Sequence, residues 1–134
     1  MFLLDAGVWV ASKDPDDRFF ETARPIVVDP DQPVAALDLT LYEVANAIGA
    51  RRRDLDVAQR LCRTIAARCG DRIVPIDADA MQSVLEIAID QGLTAYDAAY
   101  VAVARANGWT LVSTDVADLV SKGLAVTPDA ADYP

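Results

Sequence analysis

Asp5, Glu43, Asp97 and Asp115 are the residues of this chain whose type and spacing could carry chemistry. Each closes a short apolar run or stands just inside a helix start, and each comes from a different part of the chain. The chemistry open to them is narrow, because the sequence holds no histidine. That removes Ser–His and Cys–His nucleophile pairs and His-ligated metal hydrolases. Lys13 and Lys122 are the only lysines, both near segment ends. General acid–base work therefore falls to carboxylates or to metal-bound water. Of the 21 acidic residues 18 are Asp, and short carboxylates without His or Cys favour hard, oxygen-seeking cations such as Mg2+ or Mn2+. Cys62 and Cys69 share one helical stretch with no CxxC pattern, so they read as two free thiols.

The elements that must position these acids are organised by Leu93–Leu119. Thr94-Ala95-Tyr96-Asp97 is a helix start with a cap residue and an acid three positions on. Ala98–Ala106 follows with small apolar residues and almost no charge, so that helix is expected to be covered on most of its surface. Asn107-Gly108 stops it with residues that tolerate the left-handed conformation. Trp109–Val112 is a short β-rich run, broken by Ser113-Thr114-Asp115 into another helix start. The unit is helix–strand–helix, with an acid at each helix N-terminus.

Earlier in the chain, Phe2-Leu3-Leu4 predicts a strand ending at Asp5, and Gly7–Ser12 a helix. Arg18–Val28 has helical spacing interrupted by Pro25; Asp29–Pro33 reads as a loop. Val34–Leu37 predicts a second strand. Thr40-Leu41-Tyr42-Glu43 repeats the capping-box spacing, with the helix continuing to about Ala50. Leu55–Cys69 predicts an arginine-bearing helix, Ile73–Ile76 a third strand, and Ala80–Gln91 a helix ended by Gly92. Asp115–Ser121 and Leu124–Val126 predict a short helix and a last strand. Residues 1–134 form one expected domain, with 129–134 a loose tail.

Strands alternating with helices predict an α/β fold, a three-layer α/β/α sandwich on a mainly parallel central sheet. In such folds ligands bind beyond the carboxyl ends of the strands. Asp5 closes the first strand and Asp115 follows the strand at Trp109–Val112. The loops before Glu43 and Asp97 return near the same edge, so four acids from four segments can converge there.

Taken singly, several acids have an ordinary explanation. Glu43 and Asp97 fit capping boxes behind Thr40 and Thr94, worth about 1 kcal/mol each. Asp115 fits an N-cap, with Asp118 in the first turn. Asp5 is harder to excuse, since an acid after an apolar strand is expensive unless something pairs with it. Two carboxylates about 5 Å apart repel by roughly 3 kcal/mol at an effective dielectric near 20. A group of four is retained where a cation relieves that repulsion.

These residues resemble the PIN domain family, and in particular the VapC-type toxins of bacterial toxin–antitoxin pairs. The likeness is carried by Asp5 after the first strand, Glu43 and Asn46 in YEVANAI, Asp97 in LTAYDAAYVAVARANGWTLVSTD, and Asp115 with Asp118 in STDVADL. It runs over nearly the whole chain. The resemblance implies a metal-dependent endoribonuclease that cuts RNA, is inhibited by a cognate VapB-type antitoxin, and forms a homodimer. It further implies that Asp5, Glu43, Asp97 and Asp115 hold Mg2+ or Mn2+, with Asp118 a variable fifth acid and Ser113 or Thr114 supplying a hydroxyl. Gly7 departs from the pattern, since many relatives carry a small polar residue there.

Net charge is −9, which argues against non-specific nucleic-acid binding. Yet Arg51–Arg72 holds seven arginines against three aspartates, and Arg51, Arg52 and Arg53 are candidate phosphate contacts. The alternative is that these arginines serve a helix end or solvent. Trp9, Tyr42, Tyr96 and Tyr100 could stack bases, although core or dimer packing is the more ordinary use. Two other functional classes stay open: a PIN-like fold kept as an inert interaction module, and a phosphoacceptor receiver domain. No apolar run is long enough to span a bilayer and no signal peptide is visible, so a cytoplasmic, membrane-free protein is expected.

Overall fold

Alternate residues of the central strands pack into opposite layers, and this divides the protein in three. In the computed structural model, which describes residues 1–134, Phe2 and Leu4 of β1 (Phe2–Leu4) join one core cluster and Leu3 joins the other. The same split holds for Val34 and Ala36 against Ala35 and Leu37 in β2 (Val34–Leu37). Side chains of a strand alternate in direction, so both faces must be covered. All three residues of β1 and all four of β2 are buried.

One layer is built by α1 (Ala6–Ala11), α2 (Phe20–Val28), α3 (Asp38–Val44) and α4 (Leu55–Cys69). After β3 (Ile73–Val74), α5 (Ala80–Gln91) and α6 (Ala95–Asn107) build the other layer, and β4 (Thr110–Val112) returns to the sheet. The strand order is β3-β2-β1-β4, and every pairing is parallel. Trp9 and Tyr100 are fully buried, one in each layer. α6 buries Ala98–Val101, Val103 and Ala104, as its lack of charge predicts.

Four local expectations need correction. Thr40 is not the N-cap it resembles: α3 begins at Asp38, two residues earlier, and Thr40 is its third residue, closing a capping box on the Leu37 backbone. Thr40 is buried, and its hydroxyl accepts from the Leu37 N–H at 3.0 Å. β3 stops at Val74 rather than Ile76, because Pro75 has no N–H to give the ladder, and the Ile76 N–H goes to Asp38 Oδ2 at 3.3 Å instead. The last strand reduces to one parallel bridge, Val112 to Val126. Past Val44 the helix widens into a π-helical turn over Ala45–Ala50, and such turns recur at functional sites. The tail at 129–134 has no regular element, but the Tyr133 hydroxyl bonds Asp29 Oδ2 at 2.8 Å.

Candidate active site

The carboxyl ends of β1 and β4 lie side by side, with Leu4 opposite Val112. The chain leaves each strand through a residue that caps the next turn. Asp5 is the N-cap of α1, its Oδ1 accepting from the Val8 N–H at 3.0 Å. Asp115 caps the π-helical turn Val116–Val120, its Oδ1 accepting from the Asp118 N–H at 2.9 Å. Asp97 lies in the first turn of α6, behind the Thr94 cap, whose hydroxyl accepts the Asp97 N–H at 3.2 Å. The capping role expected of Asp115 is therefore present, and Asp5 turns out to be a cap as well. These roles account for the local geometry of the two acids and leave their convergence unexplained.

Asp97, Asp115 and Asp118 form the tight group: each offers a carboxylate oxygen, and the three oxygens lie within 4.8 Å of one another. Asp97 is half-buried, and its carboxyl is held above the usual range by burial and then by Asp115 and Asp118. Asp5 and Glu43 lie outside this group, yet close enough to Asp97 for its charge to act on both. Burial pushes the Asp5 carboxyl up to about 7, with Glu43 and Asp97 adding to the rise and bonds from Ser113 and Val8 opposing it. Burial, and then Asp97, also raise Glu43. Five acids thus share one field.

Two hydrogen-bond systems hold them. Ser113, fully buried, donates to Asp5 Oδ2 and accepts the Asp115 N–H at 2.9 Å, linking the ends of β1 and β4. The second system runs from the backbone of Leu37 through the Thr40 hydroxyl to the Tyr100 hydroxyl at 2.7 Å. Tyr100 then donates to Glu43 Oε1 at 3.0 Å. Burial and the neighbouring Glu43 push the Tyr100 phenol far up, so it stays protonated and serves as the donor.

A cleft of about 730 Å³ opens beside the acids, lined by Glu43, Asn46, Arg51, Tyr42, Tyr96 and Thr114 among others. Gly7 also lines it. A Cβ at Gly7 would fall 2.1 Å from the Thr114 hydroxyl oxygen and 3.2 Å from Asp5 Oδ1. The Thr114 hydroxyl therefore occupies the space that a side chain at position 7 would need.

A PIN domain profile matches residues 2–119. Ribonuclease VapC3 of Pyrobaculum aerophilum is 32% identical over 117 residues, covering 84% of this chain and 88% of its own. Exonuclease VapC9 of the same organism is 32% identical over 88 residues, which is 63% of this chain and 63% of VapC9. The chain thus spans less than two thirds of VapC9 and most of VapC3. The fold agrees with that of a chain in a toxin–antitoxin complex from Klebsiella pneumoniae, at 19% identity and a TM-score of 0.71 over 96% of this chain and 98% of that one. The chain belongs to the PIN domain family.

Membership sets the receiver alternative aside, and the sheet agrees. The receiver order 2-1-3-4-5 differs from the β3-β2-β1-β4 order of this PIN domain. Of the residues singled out in the sequence, Asp97, Asp115 and Asp118 are brought into the tight group, and Asp5 and Glu43 into its field. Asn46 and Thr114 line the cleft, and Ser113 is the buried link. The three neighbouring arginines part company. Arg51 lines the cleft, Arg52 pairs with Asp14 at 3.3 Å, and exposed Arg53 takes the left-handed φ of 55°.

Sequence reasoning missed three participants. The Thr40–Tyr100 relay was hidden because Thr40 looked like a cap and Tyr100 like core. Asp97 and Tyr100, three apart on α6, share one helix face, and that spacing was the available signal. Lys122 was the third: its charge slightly opposes the rise of the Asp97 carboxyl, while its Nζ donates to the Gln91 carbonyl at 2.7 Å, so it acts on the acids without pairing with one. Arg68 and Arg72 were the opposite case. They are spent on backbone carbonyls, Arg68 on Val27, Asp29 and Gln32 at 2.6–2.9 Å and Arg72 on Val34 at 2.9 Å. No helix is long and apolar enough to cross a membrane.

Proposed function

We propose that this PIN domain is a metal-dependent endoribonuclease, the toxin of a toxin–antitoxin pair, using Mg2+ or Mn2+. The observation that carries this reading is the set of three carboxylate oxygens within 4.8 Å of one another, backed by Asp5 and Glu43. Oxygens bound to one Mg2+ at 2.0–2.1 Å lie up to about 4.2 Å apart, so the three side chains, spread over as much as 4.8 Å, would draw together slightly to share one ion. All the donors are hard oxygens, and the two thiols, Cys62 and Cys69, belong to α4 and its packing. When bound, the ion lowers the pKa of a water and offsets charge on the phosphate in the transition state.

The chain's own residues then have distinct tasks. Asp97, Asp115 and Asp118 would hold the ion. Asp5 and Glu43 complete the negative pocket, their carboxylates aimed by Ser113 and Tyr100. Asn46, Thr114 and Arg51 border the cleft where RNA would lie, and Arg51 offers a bidentate phosphate contact. Arg52 and Arg53 assist from outside the cleft.

An acidic pocket of this kind also takes an arginine or lysine from a partner, and a basic segment of a VapB-type antitoxin is the inhibitor we propose. We place the protein in the cytoplasm as a homodimer. Leu85 and Ile89, four apart on α5, are 51% and 83% exposed and offer a surface that a second copy would cover.

The test is cleavage of linear and covalently closed RNA in Mn2+ and in EDTA. Cutting of both forms in Mn2+ alone is the expected result. Cutting of the linear form only would make the protein an exonuclease, and cutting of neither would return it to an inert interaction module.

A further inference from the structure

The cleft has two lips, and one ion pair joins them. Arg51 lines it from the turn between the π-helical stretch Ala45–Ala50 and α4, and Asp17 lines it from the connection between α1 and α2. Arg52, next to Arg51, meets Asp14 Oδ2 at 3.3 Å. The chain holds 12 basic and 21 acidic residues, yet its other ion pair, Arg60 with Asp56, stays within one turn of α4. The Asp14–Arg52 pair is therefore the one salt bridge that ties distant segments, and it falls at the mouth of the cleft.

The two lips differ in how firmly they are held. Asp14 is fixed by its own turn: its Oδ1 accepts the Asp16 N–H at 3.1 Å and its carbonyl accepts the Asp17 N–H at 2.9 Å. The opposite lip is sparsely bonded. Arg51 donates its N–H to the Asn46 carbonyl at 3.0 Å and Asp54 donates to the Ile48 carbonyl at 3.2 Å, but Arg52 and Arg53 make no backbone hydrogen bond. All three arginines are exposed. Arg53 takes the left-handed φ of 55°, which side chains other than Asn and Asp rarely adopt. A turn with few bonds and an unfavourable backbone opens unless something outside it closes it, and Asp14 is the group that does so. A guanidinium already paired with a carboxylate has little attraction left for phosphate, so Arg51 and Arg52 have separate tasks.

Resting on the nuclease reading, we infer that the Asp14–Arg52 pair is a clasp across the mouth of the cleft, and that Arg52 is a positioning residue that holds Arg51 toward an RNA phosphate without touching the RNA itself.

The test turns on sign. Asp14 is an acid beside a cleft for a polyanion, so on charge alone its loss should tighten RNA binding. Loss of a clasp should weaken it. Affinity for a short RNA of mixed sequence is measured in an Asp97→Asn background, which suppresses cutting, at about 50 mM salt, where a surface ion pair is weakly screened. Asp14→Asn keeps an acceptor for the Asp16 N–H, and Arg52→Gln keeps part of the stem. Each is expected to weaken binding about 1.5- to 5-fold, the range of a surface ion pair, with the double variant no weaker than either. Neither should matter once Arg51→Ala is present. Trypsin, which cuts after arginine, reads the turn without RNA: cutting between Arg51 and Asp54 should quicken by a like factor in Asp14→Asn.

An Asp14→Asn variant that binds RNA as well as its parent, or better, overturns the inference. So does an Arg52→Gln change that still weakens binding beside Arg51→Ala, since Arg52 would then contact the RNA directly. An unchanged trypsin rate sinks the clasp and leaves the nuclease reading standing. A wild type that neither binds nor cuts RNA sinks the nuclease reading and this inference together, whatever trypsin shows.

Discussion

Ser113 and Asp5 are 108 residues apart in sequence and share one buried hydrogen bond. The same hydroxyl accepts the Asp115 N–H, so a single side chain ties the first strand's exit to the fourth's. Both Asp5 oxygens are engaged, Oδ1 by Val8 and Oδ2 by Ser113. Asp5 is thereby fixed in place while burial makes its charge costly.

That cost should appear in the pH dependence of the metal-free protein. The Asp5 carboxyl rises from 3.8 to about 7 on folding, so between those values the folded state binds the proton and the unfolded state does not. Stability is then greatest below about pH 4 for this group and falls as pH rises toward 7, by at most about 1.4 kcal/mol per unit. The shifts of Glu43 and Asp97 have the same sign. Urea midpoints in EDTA should be higher at pH 5 than at pH 8, and Asp5→Asn should reduce the difference. A midpoint that climbs with pH would contradict the buried carboxyl.

Asp97→Asn separates a helix-start role from membership of a repelling group. Removing an acid that only favours the first turn of α6 should cost roughly 0.3–1 kcal/mol under all conditions. Removing one of the crowded carboxylates should instead stabilise the metal-free protein, because Asn keeps the shape and drops the charge. Thermal melts in EDTA should show the variant above wild type. Millimolar Mn2+ should raise the wild type and move the variant much less. Activity should fall by orders of magnitude. A variant that melts lower in EDTA and responds normally to Mn2+ would reduce Asp97 to a helix-start residue.

Tyr100→Phe breaks the relay while keeping the ring. Glu43 loses its donor, which opposes the rise from burial, so its carboxyl should titrate higher still. Cleavage should drop about tenfold with its acidic limb moved toward higher pH, at a stability cost of about 1 kcal/mol. A rate–pH profile beside a denaturant midpoint resolves the two effects. An unmoved profile would leave the hydroxyl a purely structural bond.

Gly7→Ala tests the close approach of Thr114. The new methyl would sit 2.1 Å from the Thr114 hydroxyl oxygen, so that hydroxyl must turn away at a cost of about 1 kcal/mol or more. Thr114→Gly should relieve most of the cost in the double variant. A coupling above about 0.5 kcal/mol in the four-protein cycle is the expected reading. Additive effects would mean the two positions do not compete for space.

Local chemistry made most of the elements legible. The apolar runs at Phe2–Leu4 and Val34–Leu37, the Thr94 cap and the Gly108 stop act within a few residues of themselves, and each is found where the pattern puts it. The alternation of strand and helix carried the parallel three-layer fold, because strands buried on both faces need helices on both sides. Strand ends in such a fold place Asp5 and Asp115 at one edge, so their convergence was readable too.

What tertiary structure alone decided depends on side chains meeting across layers. Thr40 has the spacing of a cap, but burial against α6 gives its hydroxyl to Tyr100, 60 residues away. Asp115 and Asp118 are neighbours in one turn, as the sequence implies, but only the packing of α6 brings the distant Asp97 within reach of both. Seven arginines in one stretch look alike as charges. Only packing distinguishes Arg68 and Arg72, consumed by carbonyls, from Arg51 at the cleft. Periodicity and capping are short-range and can be read along the chain, whereas the partner of a buried hydroxyl or a long cationic side chain is chosen by whichever distant surface the fold brings within 3 Å of it.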